Sequence, residues 1–449
     1  MTAETRYART ADGTHVAYQV TGSGPVDLVL IRAWYSDMEH EWHEPVLARI
    51  FRRLESGSRL IRLDRRGMGL SDRTPGGKVA TLEERIDDLR AVLDAVGSQR
   101  AVLVGVGDGC TNCAVFAASH PNRTSGLVLY APIFRFRSAG EYPRSDKPSG
   151  ADEEIETIRR LWGTREYAAR IVAFGAPSRA NDEHLIAWFT EQQVRGGSTE
   201  DAVAMARWFW ETDAAAALKA IHVPTLVLVR PRAHGIEEAR HAADMIEGAR
   251  LVELPGSDPF LVGGDADAAL RAIESFVDTL PTAATDDSED NRVLATVLFT
   301  DVVESTARAA QLGDRAWAAL VERLESESRS LVDRHRGRVV DTAGDGILAS
   351  FDGPGRAIRC AKVLVASMAE LGLAVRAGLH TGECELVGDR LRGLAVHIGA
   401  RVAALAGPSE VLVSTTVKDL VAGSGFEFDD RGAHSLKGVP GEWRVFAVR

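Results

Sequence analysis

The chain has 449 residues, 45% of them hydrophobic and 26% charged, and a formal net charge of −11. That length exceeds one ordinary core, because domains cluster near about 100 to 200 residues and α/β folds run to about 250, so two domains are expected. The acidic balance argues against a general nucleic-acid binder, which carries a basic footprint, and no apolar run approaches the roughly 18 residues of a membrane span.

The opening stretch MTAETRYARTADG has no apolar segment after its charges, so no secretion signal is expected and the cytoplasm is the default location. Four cysteines in so long a chain make no disulfide framework. Cys110 and Cys113 form a lone CxxC without a second pair for zinc, and they read as small buried residues on a helix. From Asp27 to Leu280 the strand-like runs VDLVLI, SRLIRLD, AVLVGVG, SGLVLYAP, PTLVLVR and ARLVELPG alternate with amphipathic stretches such as LEERIDDLRAVLDAVG. Such alternation gives a parallel sheet covered by helices. Between residues 134 and 221 the strands stop, and a helical insertion carrying Trp162, Trp188, Trp208 and Trp210 reads as a cap. PTAATDDSEDN, residues 281–291, is polar and acidic and reads as a linker. From residue 292 to 449 the order is strand, long helix, hairpin, helix, strand, which suggests the split βαβ arrangement of a ferredoxin-like α+β sheet.

In the first domain DRRGMGLSD, the strand-turn-helix VLVGVGDGC and VPTLVLV together resemble the α/β-hydrolase family over residues 1–280. The resemblance implies a doubly wound sheet with a helical cap at about 134–221, and a nucleophile within GxSxG on a strained turn. Here that pentad is Gly105, Val106, Gly107, Asp108 and Gly109, so glycine stands at the nucleophile position. The acid position falls at Ala233 or a neighbour, and the histidine position at Pro259. Acyl transfer needs a nucleophile, a base and a group to orient the base, and these residues supply none. Asp108 as a displaced nucleophile and His234 as a stray base are each one register off. The blander reading of Asp108 is a surface carboxylate near a helix N-terminus, where the dipole favours negative charge. What remains is a capped pocket able to bind a small apolar ligand, in a sensory or scaffolding role.

In the second domain two hydrophobic strands each deliver one carboxylate, Asp301 in VLATVLFTDVVEST and Asp345 in RVVDTAGDGILASF. Magnesium is commonly held by one or two carboxylates, with water and phosphates completing its shell, so the pair points to nucleotide chemistry. FTDVVEST, GDGILASF, VRAGLHTGE, GLAVHIGAR and HSLKGV occur in that order and together resemble the class III adenylyl and guanylyl cyclase catalytic domain.

That resemblance implies two Mg²⁺ or Mn²⁺ ions per site, held by Asp301, Asp345 and the backbone carbonyl of Val302, and attack of the ribose 3′-hydroxyl on the α-phosphorus with loss of pyrophosphate. The family's helix Asn and Arg align with His397 and Arg401, and its phosphate lysine with Lys437. Spacing of four puts His397 and Arg401 on one helix face. Histidine in place of Asn implies activity that depends on pH near neutrality. The family's base-reading Lys and Asp align with Asp341 and Arg390, so the charges are exchanged, and Asp389 could replace Arg390 if the turn shifts by one. Hydrogen-bond chemistry lets this pair read adenine or guanine; the family's prior favours ATP. In this family the metal and base residues of one subunit face the helix Arg and the Lys of another, which implies a C₂ homodimer. The expectation is an adenylate cyclase with a non-hydrolytic, ligand-sensing first domain. The alternatives are a guanylate cyclase, or a degenerate nucleotide- or lipid-sensing protein without turnover.

Overall fold

Runs rich in valine, leucine and isoleucine form the central strands of two separate sheets. The computed structural model describes residues 3–32, 35–74, 79–134, 150–231, 235–281, 292–388 and 390–449. They fall into two units, Met1–Asp287 and Ser288–Arg449. Most of the expected linker, residues 282–291, lies outside the described residues. Among the described residues no helix is long and apolar enough to cross a membrane.

The first unit contains β1 (Thr5–Arg9), β2 (His15–Thr21), β3 (Asp27–Ile31), β4 (Arg59–Leu63), β5 (Ala101–Val106), β6 (Thr124–Tyr130), β7 (Thr225–Val229) and β8 (Arg250–Glu253). They form one sheet in the order β1-β2-β4-β3-β5-β6-β7-β8. The pairs from β4-β3 to β7-β8 are parallel, and β1 and β2 add an antiparallel edge. The six runs read from sequence are β3 to β8. The hairpin β1-β2 was not foreseen, since TRYAR buries only Ala8 and gives almost no apolar signal.

Helices α1 (Pro45–Gly57), α2 (Leu82–Ala95) and α3 (Gly109–Ser119) join β3, β4, β5 and β6 in turn. Thr81 and Glu84 form a capping box that starts α2. Between β6 and β7 come α4 (Gly150–Leu161), α5 (Arg165–Gly175), α6 (Glu183–Gly196) and α7 (Thr199–Glu211), followed before and after β8 by α8 (Ile236–Met245) and α9 (Ala266–Val277). The described part of the insertion is thus built from helices joined by short loops, as its sequence suggests. Leu28, Leu30, Val102, Val104, Leu226 and Leu228 pack with Phe51 of α1 and Phe276 of α9. The residues between them, Val29, Leu103 and Val227, are fully buried as well, which is why these strands read as continuous apolar runs.

The second unit contains β9 (Arg292–Val302), α10 (Ser305–Leu312), α11 (Asp314–Arg334), β10 (Arg338–Ala343), β11 (Gly346–Phe351), α12 (Pro354–Glu370), β12 (Val375–Val387), β13 (Arg390–Arg392), α13 (Leu394–Leu405), β14 (Val411–Ser414), α14 (Thr415–Leu420), β15 (Phe428–Ser435) and β16 (Glu442–Val448). Its sheet runs β10-β11-β9-β12-β14-β16-β15, with β13 paired to β12. The first four members carry the split βαβ order, and β14, β16 and β15 extend it beyond what the ferredoxin-like expectation contained. Leu298, Val302, Ala377 and Leu379 pack with α11 and α12. Alternate residues Ala295 and Val297 face the other way with Ala395 of α13. Helix α13 lies flat on the sheet because Gly378 and Gly399 have no side chain: a Cβ on Gly378 would meet the Ala403 backbone nitrogen at 2.1 Å, and one on Gly399 would meet Val297 at 2.6 Å.

His380, on β12, is 4% exposed, with Nδ1 2.8 Å from the Ser414 hydroxyl and its ring edge-on to Trp443. Burial pushes its imidazole down to about 4. An unfolded histidine takes its proton near about 6.5, so the unfolded chain binds more protons as pH falls from there and the fold loses stability down to the folded value. In urea denaturation the His380→Gln chain is expected to lose less stability than wild type between about pH 6.5 and pH 4; equal slopes would contradict this account.

Candidate functional site

In the first unit, β5 turns into α3 through Gly107, whose φ is +57°. A Cβ on Gly105 would meet Cys110 at 2.6 Å, and one on Gly109 would meet the Ile31 carbonyl oxygen at 2.3 Å. The sharp turn that would present a nucleophile is therefore kept, with no side chain at its tip. Asp108 is no surface carboxylate. It is 3% exposed and accepts from Arg65 Nη1 at 2.6 Å. Ala233 and His234 lie outside the described residues. Pro259 is half-buried in the loop after β8. That loop is held by Arg230, 1% exposed, which donates to the carbonyls of Pro255, Asp258, Gly263 and Asp265 at 2.5–3.3 Å. Cys110 and Cys113 are buried free thiols, both pushed up by burial, which makes them inert. Under the cap lies a cavity of about 50 Å³ lined by Val106, Trp162, Trp188 and Phe260, among others.

In the second unit, antiparallel pairing sets Ile347 opposite Thr300 and so brings the turn at Asp345 beside the end of β9, where Asp301 and Val302 stand. The same strand pairs Arg376 of β12 directly opposite Asp301. Arg376 donates through Nε at 3.0 Å to Asp301 Oδ2 and bonds the same oxygen through Nη2. Asp345 Oδ2 is buried and has no hydrogen-bond partner among the described residues. A buried acceptor left so costs about 1–3 kcal/mol, and a cation would relieve it. Asp301, Asp341 and Arg376 line a cleft of about 280 Å³ floored by Phe299, Thr300 and Ile347. Among the described residues no three His, Cys, Asp or Glu side chains gather as a metal cluster. Two carboxylates suit Mg²⁺, which keeps most of its shell for water and phosphate. The donor set therefore fits a divalent cation.

His397 and Arg401 are both exposed on α13. Arg401 Nε donates to the Lys437 carbonyl at 3.2 Å, so the helix arginine and the lysine turn adjoin one another. Leu394 and Leu405, 51% and 40% exposed, fall on the same helical face as His397 and Arg401. Asp341 is exposed on β10 and Arg390 on β13; Asp389 lies outside the described residues. Arg376 was not singled out from sequence, because its meeting with Asp301 depends on pairing between distant strands.

Comparison with known proteins gives two matches. Residues 28–229 fit the family model of the alpha/beta hydrolase fold, and residues 289–449 that of the adenylate and guanylate cyclase catalytic domain. The bifunctional esterase/perhydrolase of Acinetobacter calcoaceticus is 23% identical over 290 residues, 60% of this chain and 99% of that protein. A Rhizobium meliloti (strain 1021) protein provisionally named adenylate cyclase 3 is 29% identical over 157 residues, 33% of this chain. The match spans only 27% of that relative's own length. A crystal structure of a hydrolase from Pseudomonas aeruginosa PA01 superposes with a TM-score of 0.52 at 25% identity, covering 61% of this chain and 98% of that one.

The orphaned oxygen predicts a crossing of stabilities. Without divalent ions, Asp345→Asn is expected to melt at or above the wild-type temperature, since the carboxylate whose buried oxygen has no partner among the described residues is replaced by a neutral amide. With Mn²⁺ at a hundred times its dissociation constant, wild type should gain about 2.7 kcal/mol and the variant little. Equal Mn²⁺ shifts in both chains would contradict this.

Proposed function

We propose that this chain, an α/β-hydrolase domain followed by an adenylate and guanylate cyclase catalytic domain, converts ATP to 3′,5′-cyclic AMP and pyrophosphate at a site shared between two copies. The observation that carries this reading is the buried, unpartnered Asp345 oxygen beside Asp301 at one end of the sheet. Asp301 and Asp345, with the Val302 carbonyl, would hold the divalent cations, Mg²⁺ or Mn²⁺, which supply charge neutralisation at the triphosphate and acidify the ribose 3′-hydroxyl.

Arg401 offers a planar fork of donors to the α-phosphate, where charge grows in the transition state. His397 stands one helical turn earlier and donates one hydrogen bond to the ribose. Lys437 reaches the triphosphate as a mobile point charge. Asp341, on the wall of the carboxylate cleft, accepts from the base, and Arg390 or Asp389 completes its recognition. Leu394 and Leu405, exposed beside Arg401, support burial of this face against a second copy. A homodimer then completes two sites by symmetry.

The ATP reading is supported by the provisional name of the Rhizobium meliloti relative. The exchanged pair Asp341 and Arg390 also suits guanine, because a carboxylate accepts from the N1 and N2 hydrogens and an arginine donates to O6. The first domain is read as non-hydrolytic, since Gly107 and Pro259 offer neither nucleophile nor base, and its role as sensing.

Purified full-length protein given Mn²⁺ and either ATP or GTP is expected to release cyclic AMP from ATP, and Asp301→Ala to lose about a hundredfold or more of that rate. Cyclic GMP as the main product would reverse the base assignment. No cyclic product from either nucleotide would leave a binding protein without turnover.

A further inference from the structure

In the first unit, β4 lies on one side of β3 and β5 on the other, so chain direction across the sheet reverses between β3 and β5. Open α/β sheets bind ligands outside the carboxyl ends of the strands at such a point. Two residues there line the capped cavity: Arg32, which follows β3, and Val106, which ends β5. In an acyl-transfer enzyme the segment after the third strand helps hold the oxyanion. Here that place has a guanidinium.

Arg32 shares its carboxylate partner with another arginine. Its Nη1 lies 2.7 Å from Glu41 Oε1, but Glu41 also pairs with Arg62 at 3.2 Å, so one carboxylate serves two guanidiniums. Arg32 Nη1 makes no well-formed hydrogen bond among the described residues. Two more polar groups converge on the cavity. Gln192, 3% exposed, gives its amide nitrogen to the Tyr35 carbonyl at 3.2 Å and leaves Oε1 unpartnered. Gln193, 4% exposed, takes the Gly163 N–H on Oε1 at 3.0 Å and leaves Nε2 unpartnered. Both amide orientations are fixed by backbone partners. Unsatisfied buried groups of this kind are rare and call for an explanation.

We propose that the cavity is a receptor site for a short-chain monocarboxylate, whose carboxylate takes Arg32 and Gln193 Nε2 as donors and whose alkyl part lies between Trp162, Trp188 and Phe260. A guanidinium matches a carboxylate by its paired donors, and the aromatic walls exclude water from the alkyl part. Size sets the class. The cavity of about 50 Å³ is smaller than the roughly 150 Å³ that admits benzene, so acids of about two or three carbons fit and longer acyl chains do not. Gln192 Oε1 is left for a bound water or a ligand hydroxyl. The site deepens the sensing role proposed for the first domain and rests on it, while its occupancy is independent of turnover at the carboxylate cleft.

Titration calorimetry on the full-length protein with sodium acetate, propionate, decanoate and the neutral isostere propionamide tests this. Propionate is expected to bind saturably, decanoate and propionamide not. Arg32→Gln should weaken propionate about tenfold or more. Ile171→Trp, which fills the cavity from its lining and leaves Arg32 in place, should abolish binding while the melting temperature stays near wild type. Absence of propionate binding, equal binding of propionamide, or binding retained in both variants would overturn the proposal. Cyclic-nucleotide synthesis by the same preparation is measured separately, so failure of this site and failure of the cyclase reading remain distinguishable.

Discussion

Asp301 and Asp341 line one cleft of the second unit, Arg376 is paired with Asp301, and the β9–β11 register brings the turn at Asp345 to the end of the strand that carries Asp301. One oxygen of Asp345 is buried without a donor. A buried carboxylate oxygen without a partner is costly, and a cation beside Asp301 would relieve it. The rest of the second unit serves that arrangement. Antiparallel pairing of β9 with β11 and β12 fixes which carboxylates meet, and a one-residue slip would turn Asp301 to the face covered by α11 and α12.

The same sheet also fixes where the helix residues stand. Gly378 and Gly399 let α13 approach the strands closely enough for backbone to meet backbone. The close seat turns Ala400, Ala403 and Ala404 toward the carboxylate cleft and leaves His397 and Arg401 facing outward. Arg401 is then tied to the turn of Lys437. The second unit therefore presents a carboxylate cleft and an outward face with Arg401 flanked by exposed leucines.

Much of this was legible in the sequence, because short motifs fix local geometry. The apolar runs before Asp301 and around Asp345 marked strands, and the spacing of His397 and Arg401 marked one helix face. The glycine at position 107 already showed an elbow without a nucleophile. What escaped depends on long-range pairing or burial. Arg376 meets Asp301 only through the β9–β12 register. Arg230 and Arg32 look like ordinary charged residues at strand ends, yet one clamps a loop and the other lines a cavity. Asp108 was expected at the surface and lies buried against Arg65; nothing local to VGDGC marks that partner, 43 positions earlier. The edge strand β1 was too polar to register as a strand.

The two units share a pattern: each keeps a family's backbone geometry while altering side chains at decisive points. In the first, the elbow persists without its nucleophile, and an arginine stands in the pocket. In the second, the carboxylate pair persists while Asp341 and Arg390 stand where the resemblance implies a Lys and an Asp. The central claim is that the carboxylates of one copy work with Arg401 of another. Mixing Asp301→Ala chains with Arg401→Ala chains, each inactive alone, tests it most directly. Half of the dimers formed from an equal mixture are mixed and hold one intact site of two, so about a quarter of wild-type cyclic-nucleotide synthesis should return. Activity that stays at the level of the separate mutants would contradict the account.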